Sequence, residues 1–114
     1  MTNQKWQQVK SEIREILIKT AKRKGMITYT ELVNQVKTIR LEAHDLRLFK
    51  LLGEISTNEV ENGRSMISVV VVHKQGDQQP GDGFFELAES LGRDTSDILK
   101  CWTDEFKKVF KDYK

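Results

Sequence analysis

The run Met66-Ile67-Ser68-Val69-Val70-Val71-Val72 constrains this chain more than any other feature. Its β-branched side chains are stiff at χ1 and fit a pleated surface better than a helix. The pattern predicts a strand over 65–74. Met66, Ser68, Val70 and Val72 would point to one face, and Ile67, Val69, Val71 and His73 to the other. Both faces are mostly apolar, which predicts a central strand covered on both sides. The run is far too short to span a bilayer.

Helical periodicity surrounds this strand. Trp6, Val9, Ile13, Ile16, Leu17 and Ala21 recur every three or four residues, predicting a long amphipathic helix over 3–24. Lys22, Arg23 and Lys24 sit in its last turn, where cations complement the helix dipole, and Gly25 is the expected left-handed stop. Residues 26–29 read as a short extended link. Thr28 and Glu31 form a capping box that opens a helix with Leu32, Val33 and Val36 facing inward. After a connector over 37–42, a third helix is expected from about 43 to 55, with Leu46, Phe49, Leu52 and Ile55 inward and Leu48 and Leu51 widening that stripe. Ser56 and Glu59 have capping-box spacing, so a separate helical turn is expected over 57–62, ended by Gly63.

Residues 75–83 hold three glycines and the chain's one proline, and read as a loop. Phe84, Leu87, Ala88 and Leu91 then fit a short helix capped by Asp82 and stopped by Gly92. A last helix, capped by Thr95 or Ser96, runs to about Tyr113. Its expected buried face is Ile98, Trp102, Phe106, Val109, Phe110 and Tyr113, with Cys101 a small filler at a partly buried edge. There is no internal repeat and no linker, so the expectation is one domain over 1–114. The fold class is α+β, a small sheet centred on 65–74 with flanking helices.

Composition limits the function classes. One cysteine excludes an internal disulfide and a cysteine-based metal cluster. Residues 1–5 carry no apolar signal segment, and the expected compartment is the cytoplasm. The net charge of +2 permits nucleic-acid binding without arguing for it.

The order short strand, helix, connector, helix, long strand over 26–74 resembles the core of a winged-helix domain. That resemblance implies that the helix over 43–55 is a recognition helix, with His44, Arg47 and Lys50 turned toward phosphates or base edges. Arg40, Lys22 and Arg23 extend the same basic set. The chain departs from the pattern after the strand, where a loop and a helix stand in place of a returning hairpin. The alternative is an ordinary solvated face, since Arg47 and Lys50 are interleaved with Glu42, Asp45 and Glu54. Gly63 to Ser68, with Pro80 to Phe85, also resembles stretches of small bacterial or phage proteins, a likeness that carries no function.

Other constellations point to chemistry more thinly. Arg64, Ser68 and Lys74 flank the central strand next to the 75–83 loop and form a possible ligand cleft. A nuclease or hydrolase would add Glu54, Glu59 and His73. A strand ending in Lys74 resembles the catalytic strand of restriction-type nucleases, but Val72 stands where their acid is needed. The loop before the helix at 84 has no Gly-Lys-Ser/Thr ending, and Asp77 and Asp82 would repel phosphate. A metal site from His73, Asp77, Asp82 and Glu86 has no recognised ligand spacing. No cofactor, metal or catalytic residue is therefore expected. The expected function is a non-enzymatic binding module contacting nucleic acid or a protein partner. The alternatives are a small structural or interaction subunit, which meets a protein partner through its N- and C-terminal helices or forms a homo-oligomer, and a small enzyme built on the 64–74 strand and the 75–83 loop.

Overall fold

A computed structural model describes residues 2–73 and 81–114. The described elements are α1 (Asn3–Lys22), β1 (Ile27–Thr28), α2 (Tyr29–Gln35), α3 (Leu46–Glu61), a 3-10 helix (Ile67–Val70), β2 (Val71–Val72), α4 (Asp82–Ser90) and α5 (Ile98–Asp112). The chain is mostly helical with a small sheet, an α+β architecture. β1 and β2 pair in parallel, Ile27 against Val71 and Thr28 against Val72.

The segment 65–72 is buried at every position, so its central place agrees with the sequence. Its conformation does not. Only Val71 and Val72 are strand, and Ile67–Val70 coil into a 3-10 helix packed on α1, α3 and α5. The reason is the shortage of a partner. β1 offers a two-residue edge, and a longer strand would leave buried backbone groups unpaired. Coiling lets Ile67, Val69 and Val70 all enter the core, each burial worth about 1.5–3 kcal/mol. The polar break is absorbed locally. Ser68 accepts from the Ser56 hydroxyl at 2.6 Å, and its backbone N–H donates to the same oxygen at 3.0 Å.

That pair also explains α3. Residues 46–61 form one helix capped by Asp45, not a helix to 55 followed by a separate turn. Ser56 is a buried interior residue whose hydroxyl serves Ser68, and Glu59 is buried with it. Helix ends follow their signals closely elsewhere. The Thr28 and Glu31 capping box is present at α2. Gly63 (φ 78°) and Gly92 (φ 87°) take the left-handed stops after α3 and α4. After α1 the expected glycine does not. Lys24 adopts φ 59°, while Gly25 N–H closes the turn onto the Thr20 carbonyl at 3.1 Å. Gly81, not Asp82, precedes α4, and Asp97 caps α5 in place of Thr95 or Ser96.

α5 buries a different ridge from the aromatic one. Cys101, Glu105 and Val109 are fully inside, while Trp102, Phe106, Phe110 and Tyr113 are half-buried and Ile98 is exposed. Glu105 is tolerated there because it accepts from Met66 N–H at 3.1 Å and from Arg93 Nε at 2.6 Å. Glu59 is held likewise, by Arg14 Nε at 2.8 Å, Arg64 Nε at 2.6 Å and the Tyr113 hydroxyl. Burial alone would raise the Glu59 carboxyl, but the hydrogen bonds from Arg64, Tyr113 and Arg14 outweigh it and hold it below its ordinary range. Buried Cys101 has its thiol pushed up, by desolvation first and then by the Glu105 charge, which suits an inert core filler.

Candidate functional site

The described residues enclose one large cleft, of about 890 Å³. Its walls come from the start of α2, the first half of α3, the residue after β2, and α4. Thr28 and Tyr29 stand at the β1–α2 junction because the capping box turns the chain sharply there. Phe49, Leu52 and Gly53 line it from α3. Phe84, Leu87 and Ser90 line it from α4.

The aromatic groups are in contact. Tyr29 meets Phe49 edge-on at 5.9 Å and His73 at 5.4 Å between ring centroids. The Tyr29 hydroxyl accepts from Gly81 N–H at 3.0 Å. Desolvation raises its pKa, against that hydrogen bond. Gly81 eases the approach. A Cβ there would lie 3.3 Å from the Tyr29 hydroxyl and 3.4 Å from His73 Nε2. Phe49 is 45% exposed at the mouth, and Leu46, one turn earlier on the same helix face, is 81% exposed. Side chains of this size seldom stay in water on a helix that buries four leucines and isoleucines elsewhere.

Polar groups converge on the same space: His44, Ser68, His73, Asp82 and Glu86. Asp82 and Glu86 have no ion-pair partner among the described residues. The structure thus brings together three members of the metal-ligand set read from sequence, while Asp77 lies outside the described residues. No group of three His, Cys, Asp or Glu side chains among the described residues could hold a metal ion.

The candidate nucleic-acid residues are scattered. Arg47 is clamped on its own helix cap, Asp45, at 2.7 Å, and that contact holds the Asp45 carboxyl down to about 2. Arg40 lies 3.6 Å from Glu42. Lys50 stacks over Trp6, 5.6 Å from the ring centroid. His44 precedes α3 and faces the cleft. Lys22 and Arg23 are exposed at the end of α1. The possible ligand cleft of Arg64, Ser68 and Lys74 divides. Ser68 lines the cleft, Arg64 is bound into the Glu59 cluster, and Lys74 lies outside the described residues.

Sequence reading missed Tyr29 and Phe49 as site residues, because one sat in an apparent link and the other in an apparent core stripe. No local signal marked them, because the contacts that make them a site join the start of α2 to α3 and to the approach to α4. No helix among the described residues is long and apolar enough to cross a membrane. No family model matches the chain, and neither a curated protein nor a solved structure matches it significantly.

Proposed function

We propose that the chain is a non-enzymatic binding module of winged-helix-like order, and that its α3 side receives a protein partner in the cleft. The observation that carries this reading is Phe49, an aromatic side chain left half in water at the mouth of a cleft walled by Tyr29, Leu52, Phe84 and Leu87. Clefts of this size with apolar walls and a few convergent polar groups are the usual form of binding sites. Aromatic anchors entering such pockets dominate the energetics of protein interfaces. The carboxylates of Asp82 and Glu86 select the occupant. They repel phosphate and favour a segment that carries a large apolar residue beside a lysine or arginine. The helix order α1–β1–α2–α3–β2 keeps α3 as the presenting helix, as in the winged-helix reading, with Leu46 and Phe49 in place of basic contacts.

Selection of displayed peptides on the purified chain tests this. Enriched sequences should share an aromatic or large aliphatic residue next to a cation, and should lose binding to Gly53→Met. Gly53 lines the cleft, and a Cβ there would meet only Leu87 Cδ2, at 3.9 Å, so that variant should project its side chain into the cleft and leave the helix intact. Failure to enrich, or binding indifferent to Gly53→Met, rejects the cleft as the partner site.

A further inference from the structure

A second surface lies outside the cleft and has different chemistry. Lys107 and Lys111 recur at helical spacing along α5, with Lys114 just beyond its end, beside the row of Leu99, Phe106 and Phe110. Trp102, Phe106 and Phe110 form an edge-to-face ladder, with centroids 5.7 Å and then 4.6 Å apart. The ladder is half-buried and Leu99 is 56% exposed, so this row borders on solvent. Lys107, Lys111 and Lys114 are exposed and have no ion-pair partner among the described residues. Asp104 is taken by Lys100 at 2.8 Å, and Asp112 is turned to accept from Ser65 N–H at 2.9 Å.

The end of α1 joins this surface through Lys24. Its ammonium donates to the Phe110 carbonyl at 2.6 Å and sits 5.3 Å over the Phe110 ring. Lys24 reaches that position from a left-handed backbone conformation (φ 59°), while Gly25, the residue better suited to it, stands one position later and closes the turn through its N–H. A lysine held in that region is strained, and strain of this kind collects where a side chain has a task. Lys22 and Arg23, next to Lys24 in the chain, are both exposed and have no ion-pair partner among the described residues. Helix dipoles account for cations in a last turn. They do not account for Lys107, more than a turn inside α5, or for the contact of Lys24 with an aromatic row far from it in sequence.

We infer that the lysine row of α5 and the basic end of α1 bind single-stranded nucleic acid. Phosphates lie along Lys22, Arg23, Lys107 and Lys111, and bases pack on the row of Leu99 and Phe106. A cationic track beside stackable aromatic groups is the general solution for single strands, and it needs no sequence readout. The surface is independent of the cleft and of what the cleft receives.

The test is fluorescence anisotropy of a labelled oligothymidylate of about 20 nucleotides, titrated with the full chain across a salt series. The expected log–log salt slope is about −3, corresponding to about four phosphates on a single strand. Lys22→Gln/Lys107→Gln/Lys111→Gln, all exposed positions, should reduce its magnitude by about 2. Phe106→Leu should weaken binding about tenfold with the slope retained. Lys24→Gly should weaken binding while its melting temperature holds or rises, since glycine relieves the strain. An oligouridylate of equal length tells whether RNA or DNA is preferred, and binding of either supports the surface. Gly53→Met should leave this binding unchanged, which separates it from the cleft. The inference is overturned by no binding at low salt, by equal affinity for duplex DNA, or by binding that survives the triple substitution. Binding to vesicles rich in anionic lipid without binding to the oligonucleotide also overturns it, in favour of a membrane surface.

Discussion

The side of the molecule where α1, α3 and α5 meet and the side that holds the cleft treat their awkward residues in opposite ways. On the first side charges are buried and every one is answered. Glu59 takes Arg14, Arg64 and Tyr113, and Glu105 takes Arg93 and a backbone N–H. On the second, apolar groups stand in water and two carboxylates have no ion pair among the described residues: Phe49 and Leu46 are exposed, and Asp82 and Glu86 face the cleft. A buried charge with a full set of partners is fixed in one geometry and is poor at binding anything else. An exposed aromatic beside an open cleft costs stability in the free protein and returns it only on contact with a partner. The difference separates what holds the chain together from what it offers to others.

The contrast is broken most severely by Glu59→Ala. It removes the shared acceptor of Arg14, Arg64 and the Tyr113 hydroxyl; both arginine side chains are 37% exposed and can turn to water, so the cost should be about 1–3 kcal/mol, against a total of about 5–15 kcal/mol for a domain of this kind. Urea unfolding should show the midpoint fall, and an unchanged midpoint would mean the cluster is decorative. Acid sharpens the same point without mutation. The folded Glu59 carboxyl titrates below its ordinary value of 4.5. Its contribution is therefore complete above that pH and is lost as pH falls through the depressed folded value. Thermal melts from neutral pH downward should be flat until that range and then decline, and Glu59→Gln should flatten part of the decline. On the cleft side the smallest change has the opposite sign. Gly53→Ala meets only Leu87 Cδ2 at 3.9 Å and should stabilise α3 by about 0.5–1 kcal/mol, read as a small rise in melting temperature. A loss would show the cleft already filled at that point.

Local signals in the sequence carried the helices well. The Thr28 and Glu31 box, the stops at Gly63 and Gly92 and the long α1 pattern all act within a turn of where they are written. The strand over 65–74 was not legible in the same way. Four valines ask for burial and an extended form equally, and which demand wins depends on a partner edge, here only Ile27 and Thr28. The α5 face was misread because hydrophobicity ranks Trp102 and Phe106 above Glu105. A carboxylate enters the core only when distant groups such as Met66 N–H and Arg93 are already placed to receive it. For the site, single basic residues were legible as candidates, but neighbours decided their state. Asp45 takes up Arg47, and no carboxylate among the described residues takes up Lys22 or Arg23. Tyr29 and Phe49 become site residues only through the approach of Gly81, which no local pattern encodes.

The parallel ladder between β1 and β2 has a kinetic meaning. Its rungs join Ile27 to Val71, two points separated by α2 and α3, so closing it confines a long loop. The helices on either side rest on contacts local in sequence, so the ladder is expected to close after them. Thr28 and Tyr29 hang on it, and one wall of the cleft is then expected to take its final shape late in folding.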